Sequence, residues 1–124
     1  MTEDEAQALL REAEAAFGAA DVDRILAMFT ADVVVRYADQ PEMRGRDAYA
    51  DFVRQRFARQ RDYQPRKQLR AVTGDLVVDS WDGTWIDVPT GARMGGRGIE
   101  ILVIRDGRVA QLDAVFNTWQ EVHA

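Results

Sequence analysis

The chain has 124 residues, 47% of them hydrophobic and 30% charged, and its formal net charge is −5. The absence of cysteine excludes disulfides, thiolate catalysis and cysteine zinc sites, and a lone histidine, His123, excludes a histidine-pair metal site. The net acidity argues against nucleic-acid binding, so no nucleic-acid partner is expected. The length suits one domain covering residues 1–124, and no signal peptide or membrane span is evident, so we expect a cytoplasmic protein.

The first two predicted helices are marked by their ends. Thr2 and Glu5 fit a capping box, and Gly18 fits the C-terminal end of an amphipathic first helix. Asp21 is placed to cap a short second helix that carries apolar residues as far as Phe29.

A strand and a third helix follow. The β-branched and aromatic residues at 33–37 predict a strand that begins after Asp32. Apolar residues on one face predict a helix over about 47–60, and Pro65 is expected to end the helical region.

The remainder is predicted to be β-structure. Alternation and turn residues indicate strands at 69–73, 76–87, 94–105 and 109–118, joined by hairpins. Gly83 is interpreted as a bulge or bend in a long curved strand, because a hairpin turn there would leave two very short strands. The pattern predicts an α+β domain in which a bent, mostly antiparallel sheet wraps around helices, with a ligand site at the mouth of the resulting cone.

This element order and four sequence words resemble the NTF2-like superfamily and its SnoaL-like branch. The words are Ala-Asp-Val-Asp-Arg-Ile-Leu-Ala-Met-Phe (20–29), Arg-Gly-Arg-Asp (44–47), Pro-Thr-Gly (89–91), and Asp-Gly-Arg-Val (106–109) followed by Phe116. The resemblance implies a cone-shaped α+β barrel with three N-terminal helices, and a small apolar molecule bound in the cone. It also implies a homodimer through the sheet face and chemistry that needs no cofactor and no metal. It does not settle the activity, since relatives include ketosteroid isomerases, limonene epoxide hydrolases, polyketide cyclases and binding modules.

The known active-site patterns of these relatives are broken in this chain. The three positions of a ketosteroid isomerase fall at Ala13, Tyr37 and Glu100, and only the acid at Glu100 survives. The Asp–Arg–Asp relay of a limonene epoxide hydrolase falls at residues that cannot form it: Trp81, Gly83 and Ala114.

The same resemblance, extended by strand alternation, predicts the lining of the cone. The candidate catalytic residues are Glu100, Tyr37 and Asp39. The candidate substrate-binding residues, mostly apolar or aromatic, are Phe17, Val35, Phe52, Arg56, Trp81, Trp85, Leu102, Leu112, Ala114 and Phe116.

Glu100 is the most informative of these residues because its neighbours along the chain are apolar. Burial is expected to raise its pKa toward the range of a general acid or base. The alternative is that Glu100 faces outward or pairs with an arginine such as Arg97. Tyr37 can stabilise an oxyanion or be an ordinary strand tyrosine, and Asp39 can be a base or an ordinary loop residue.

The sequence leaves more than one interpretation open for two tryptophans, a basic segment and the C-terminal tail. Trp81 and Trp85 can stack a flat ligand or belong to the core. The basic segment 54–70 can attract an anion, but a solvated helix face is favoured, with Arg56 alone turned inward to meet a ligand carboxylate. An aromatic tail from Trp119 to His123 can lock a partner, cover the cone or be frayed.

Three functional hypotheses follow. The first is a SnoaL-like enzyme that uses Glu100 to move a proton. The second is a non-catalytic binding module with the same aromatic cone, and the third is an assembly module whose sheet face carries the function.

Overall fold

A computed structural model of the chain describes residues 1–122. It has three helices: α1 (Glu3–Gly18), α2 (Val22–Leu26) and α3 (Arg46–Arg59). Its six strands are β1 (Phe29–Tyr37), β2 (Met43–Arg44), β3 (Gln60–Thr73), β4 (Leu76–Asp87), β5 (Arg93–Arg105) and β6 (Arg108–Gln120). No helix in this part of the chain is long and apolar enough to cross a membrane.

All six strands form one sheet in the order β2-β1-β6-β5-β4-β3. Every neighbouring pair is antiparallel except β1 and β6, which run parallel. Alternate residues of the long strands are buried against the helices, as the period of two in a strand requires. The α+β class, the three helices and the mostly antiparallel sheet are therefore confirmed.

The helix starts follow the sequence signals. Thr2 and Glu5 form both hydrogen bonds of the capping box of α1, and the Asp21 side chain accepts a hydrogen bond from the backbone N–H of Arg24 at the start of α2. Gly45, with φ of 91°, precedes α3, a conformation that favours glycine.

The second helix is shorter than predicted. It ends at Leu26, and Phe29 opens β1 instead of closing the helix. The backbone N–H of Val109 donates to Met28 O, so the parallel pairing with β6 begins at this point. Sequence periodicity does not distinguish a short apolar helix from the start of a strand.

The prediction that Pro65 ends the helical region is wrong. The strand β3 begins at Gln60, directly after α3, and Pro65 lies within it opposite Gly83. The strand is at one edge of the sheet, where the missing N–H of proline is tolerated.

Gly83 is not a bulge. The strand β4 pairs regularly with β5 through Gly83 and Gly96, and the register shifts between β3 and β4 lie away from it, at Arg61/Gln64 and Leu69/Ala71. A Cβ at position 83 would lie 2.9 Å from Cε1 of Tyr63, so any larger residue there would force this ring to move.

Two further elements differ from the sequence prediction. The two-residue strand β2 was not predicted, and the last strand extends to Gln120, so that the partly exposed Trp119 belongs to β6. His123 lies outside the described residues.

Candidate functional site

Three charged side chains from three adjacent strands meet inside the cone, and we call them the buried charge cluster: Lys67 (β3), Asp79 (β4) and Glu100 (β5). Asp79 and Glu100 are direct partners in the β4–β5 pairing, on the same face of the sheet. Asp79 is 0% exposed and Glu100 is 9% exposed. The Lys67 ammonium donates a hydrogen bond to Oε1 of Glu100 and lies 4.0 Å from Oδ1 of Asp79.

Asp79 is the unusual member of this cluster. Neither of its carboxylate oxygens accepts a hydrogen bond from a donor in residues 1–122. Burial, followed by the negative charge of Glu100, raises the pKa of Asp79 to about 8 against the attraction of Lys67. Burial and the charge of Glu100 thus favour the protonated form of Asp79.

The expectation of a raised pKa at Glu100 is wrong. Burial alone would raise it, but the charge of Lys67 and the hydrogen bond that Lys67 donates outweigh burial and lower the pKa of Glu100. The same ion pair raises the pKa of Lys67 against the effect of burial. The cluster thus holds one protonated and one ionised carboxyl group side by side, next to a cation.

A second polar group lies nearer the mouth of the cone. Arg56, on α3, donates from Nη1 to the hydroxyl of Tyr37 at 2.9 Å and from Nε to Oε1 of Gln60 at 3.1 Å. The centre of its guanidinium lies 4.7 Å from the ring centroid of Tyr63 and 5.8 Å from those of Phe17 and Tyr37. These distances are typical of cation–π contacts.

An outer cleft of about 460 Å³ opens at this end of the cone. Its volume is in the range of small-molecule sites. Much of its wall is aromatic, and the lining includes Tyr37, Phe52, Arg56, Arg59, Trp81, Trp85, Asp87 and Phe116.

A small inner cavity of about 40 Å³ lies deeper, between α1 and the sheet. Lys67 and Glu100 line it, together with apolar side chains that include Phe17, Leu102 and Leu112. Arg56 lines the outer cleft, and its guanidinium centre lies 5.8 Å from the ring centroid of Phe17, a residue of the inner cavity wall.

The remaining predicted site residues have different environments. Val35 and Ala114 are buried in the core and line neither the outer cleft nor the inner cavity. Asp39 is exposed and lines a neighbouring surface hollow together with Tyr37, Phe52 and Phe116.

Sequence reasoning did not identify Asp79 or Lys67. Strand alternation is the signal that could have found Asp79, because this residue lies two positions before Trp81 and therefore on the same inward face. The interpretation of the basic segment as a solvated helix face is wrong for Lys67. That residue is on a strand, its side chain is only 10% exposed, and it is the sole lysine of the chain.

The bent, six-stranded sheet packed around three helices has the architecture of the NTF2-like cone folds. Within this class the chain belongs to the SnoaL-like domain family, whose sequence model matches residues 10–112. A comparison with curated protein sequences finds no match.

Solved structures share this fold across nearly the whole chain. A provisionally assigned polyketide cyclase from Xanthomonas campestris pv. campestris is 23% identical, with a TM-score of 0.83 over 92% of this chain and 91% of that one. SalBIII, an epoxide hydrolase/cyclase-like enzyme in pyran ring formation in salinomycin, is 16% identical, with a TM-score of 0.81 over 93% and 92%. An LEH-like epoxide hydrolase from M. tuberculosis is 19% identical, with a TM-score of 0.72 over 92% and 84%. At these identities the likeness establishes the fold alone.

Proposed function

We propose that this protein is a cofactor-independent acid–base catalyst that moves a proton on a small molecule bound in its cone. The observation that carries the proposal is the burial of two facing carboxyl groups, Asp79 and Glu100, beside the Lys67 ammonium, inside a fold that also has an open aromatic cleft. Two carboxyl groups whose environments separate their pKa values can divide the roles of acid and base.

Each member of the buried charge cluster has a role in this scheme. Glu100 is the base that takes a proton from the ligand and returns it at a second atom, which completes an isomerisation without any co-reactant. The Lys67 ammonium keeps Glu100 ionised. Asp79, the direct partner of Glu100 in the β4–β5 pairing, is kept largely uncharged by burial and by the charge of Glu100.

Tyr37 is the oxyanion-stabilising residue of the proposal. Burial raises its pKa in spite of the nearby charge of Arg56, so that its phenol remains neutral. A neutral phenol in a largely apolar cone donates a hydrogen bond to a developing enolate or alkoxide. Asp39, exposed beside the cleft, is a second base in this proposal and contacts only ligands that reach the mouth.

The test is turnover of a panel of cyclic conjugated ketones and epoxides, followed by chromatography. The Glu100→Gln substitution is expected to abolish any turnover found in the wild type, because the amide cannot accept a proton. Asp82→Asn is the matched control, since Asp82 lies on the exposed face of β4, where it pairs with Arg66. Wild-type turnover by folded Glu100→Gln protein would refute the proposal.

A non-catalytic binding or dimerisation module is the second candidate, and the outer face of the sheet favours it. Ile99, Ile101 and Val115 are 49%, 41% and 68% exposed, and Ile99 and Val115 are direct cross-strand partners. Such an apolar patch is typical of an interface between copies. Sedimentation velocity of the wild type and of Val115→Lys tests for a homodimer through this face, and a wild-type monomer at high micromolar concentration would refute it.

A further inference from the structure

Arg56 has an unusual environment for an arginine of this chain. Several arginines on the outer surface, Arg24 and Arg36 among them, have carboxylate partners, at 2.6 and 2.9 Å in these two cases. No carboxylate in residues 1–122 lies within 4.0 Å of the guanidinium of Arg56, although that group is partly buried among three aromatic rings. A cation removed from water without an anionic partner is costly, and the rings compensate only in part.

The outer cleft around Arg56 carries excess positive charge. Arg56 and Arg59 line it, and among residues 1–122 Asp87 is the one carboxylate that lines it. Asp87 is also engaged elsewhere, because its Oδ2 accepts a hydrogen bond from the hydroxyl of Thr90 at 2.6 Å. Beneath the cleft, the charges of Lys67 and Glu100 balance each other. Arg56, which has no carboxylate within 4.0 Å among the described residues, is therefore the cation in this cleft that an anionic ligand would neutralise.

The hydrogen bonds of Arg56 orient it toward a ligand. Its Nη1 donates to the oxygen of Tyr37, which leaves the phenolic hydrogen of Tyr37 to donate to a further acceptor. A guanidinium N–H and a phenol O–H side by side match the two oxygens of a carboxylate.

The walls of the cleft define the rest of the ligand. The flat faces of Trp81 and Trp85, with Phe52 and Phe116, suit planar rings, and about 460 Å³ accommodates one or two of them. We propose that the outer cleft recognises an aromatic or alicyclic carboxylate, whose carboxylate is bound by Arg56 and Tyr37 and whose rings stack on the tryptophans. This deepens the proposed function, since it assigns a substrate class to the same cone. The carboxylate oxygen that accepts the hydrogen bond of Tyr37 is then the oxygen on which negative charge develops when Glu100 takes a proton from the adjoining carbon.

The test compares two ligands of one shape by isothermal titration calorimetry: 2-naphthoate, which is an anion at pH 7, and 2-naphthamide, which is neutral. Wild-type protein is expected to bind the naphthoate about tenfold more tightly than the naphthamide, since hydrogen bonds to charged groups are the stronger ones. This comparison needs no variant and holds even if substitutions at Arg56 impair folding.

Variants then assign the effect to one side chain. Arg56→Gln is expected to weaken naphthoate binding by about tenfold and to leave naphthamide binding within about twofold. The control Arg54→Gln removes an exposed arginine on the same helix and is expected to change neither affinity. Arg56→Lys is expected to recover only part of the loss, because an ammonium lacks the planar fork of the guanidinium.

The outcomes separate this inference from the catalytic proposal. Equal binding of both ligands, or unchanged naphthoate binding in Arg56→Gln, would overturn the carboxylate site while leaving proton transfer at Glu100 intact. Full naphthoate binding by Glu100→Gln protein supports the carboxylate site even if that protein and the wild type both lack turnover. Failure of both ligands to bind the wild type would overturn the carboxylate site.

Discussion

Replacing Asp79 with asparagine is expected to make the protein's stability less sensitive to rising pH. The amide has nearly the shape of the protonated carboxyl group and can donate a hydrogen bond to Glu100, but it does not ionise. The substitution therefore separates the proton of Asp79 from its packing.

The magnitude follows from the pKa of Asp79, which is 3.8 in its ordinary state and about 8 in the folded protein. Because the folded-state value is the higher one, the native protein holds a proton that the unfolded chain releases, and the resulting stabilisation is lost as the pH rises toward 8. From pH 5 to pH 8, the wild type is expected to lose up to about 3 kcal/mol of unfolding free energy that Asp79→Asn retains.

Urea unfolding at pH 5, 6, 7 and 8, followed by tryptophan fluorescence, measures this difference. The gap between variant and wild type is expected to widen steadily in favour of the variant across the series. Asp82→Asn, on the exposed face of the same strand, is expected to show a gap that stays constant. A constant gap for Asp79→Asn as well would mean that Asp79 is ionised in the folded protein, and the reasoning on the buried charge cluster would be refuted.

Three further substitutions test other parts of the structure by urea unfolding at pH 7. Lys67→Met leaves an ionised carboxyl group buried without its cation and is expected to lower the unfolding free energy by about 3–5 kcal/mol. The control Arg66→Met, at an exposed position, is expected to lower it by less than about 0.5 kcal/mol. Equal losses in the two variants would contradict the buried ion pair. Gly83→Ala introduces a Cβ 2.9 Å from Tyr63 and is expected to cost about 1–3 kcal/mol, so full stability would show that the contact relaxes freely. Thr2→Ala removes the cap of α1 and is expected to cost about 1 kcal/mol, and no change would mean that the capping box adds nothing in solution.

Local signals in the sequence were sufficient for much of the fold. The capping box at Thr2, the cap at Asp21 and the hairpin at 106–107 depend on residues within a few positions of each other, so the sequence alone predicts them. Where a tertiary contact decided the structure, the local interpretation failed. The sequence predicts that Pro65 ends the helical region, because no signal in the neighbouring residues shows that Pro65 lies in a strand at the edge of the sheet.

In the candidate site, too, some properties of Glu100 are predictable from the sequence and others depend on distant residues. The family resemblance places Glu100 among the inward residues, and its apolar neighbours along the chain predict its burial. In the structure Glu100 is 9% exposed. The predicted rise of the Glu100 pKa is wrong, because the direction of the shift depends on Lys67, which is 33 positions away along the chain.

The sequence by itself determined the family, the order of the elements and the faces of the strands, because caps, turns and alternation are short-range properties. Only the tertiary structure decided which charges meet. Sheet order and register bring Lys67, Asp79 and Glu100 together from three strands, and their mutual distances and burial decide which carboxyl group keeps a proton.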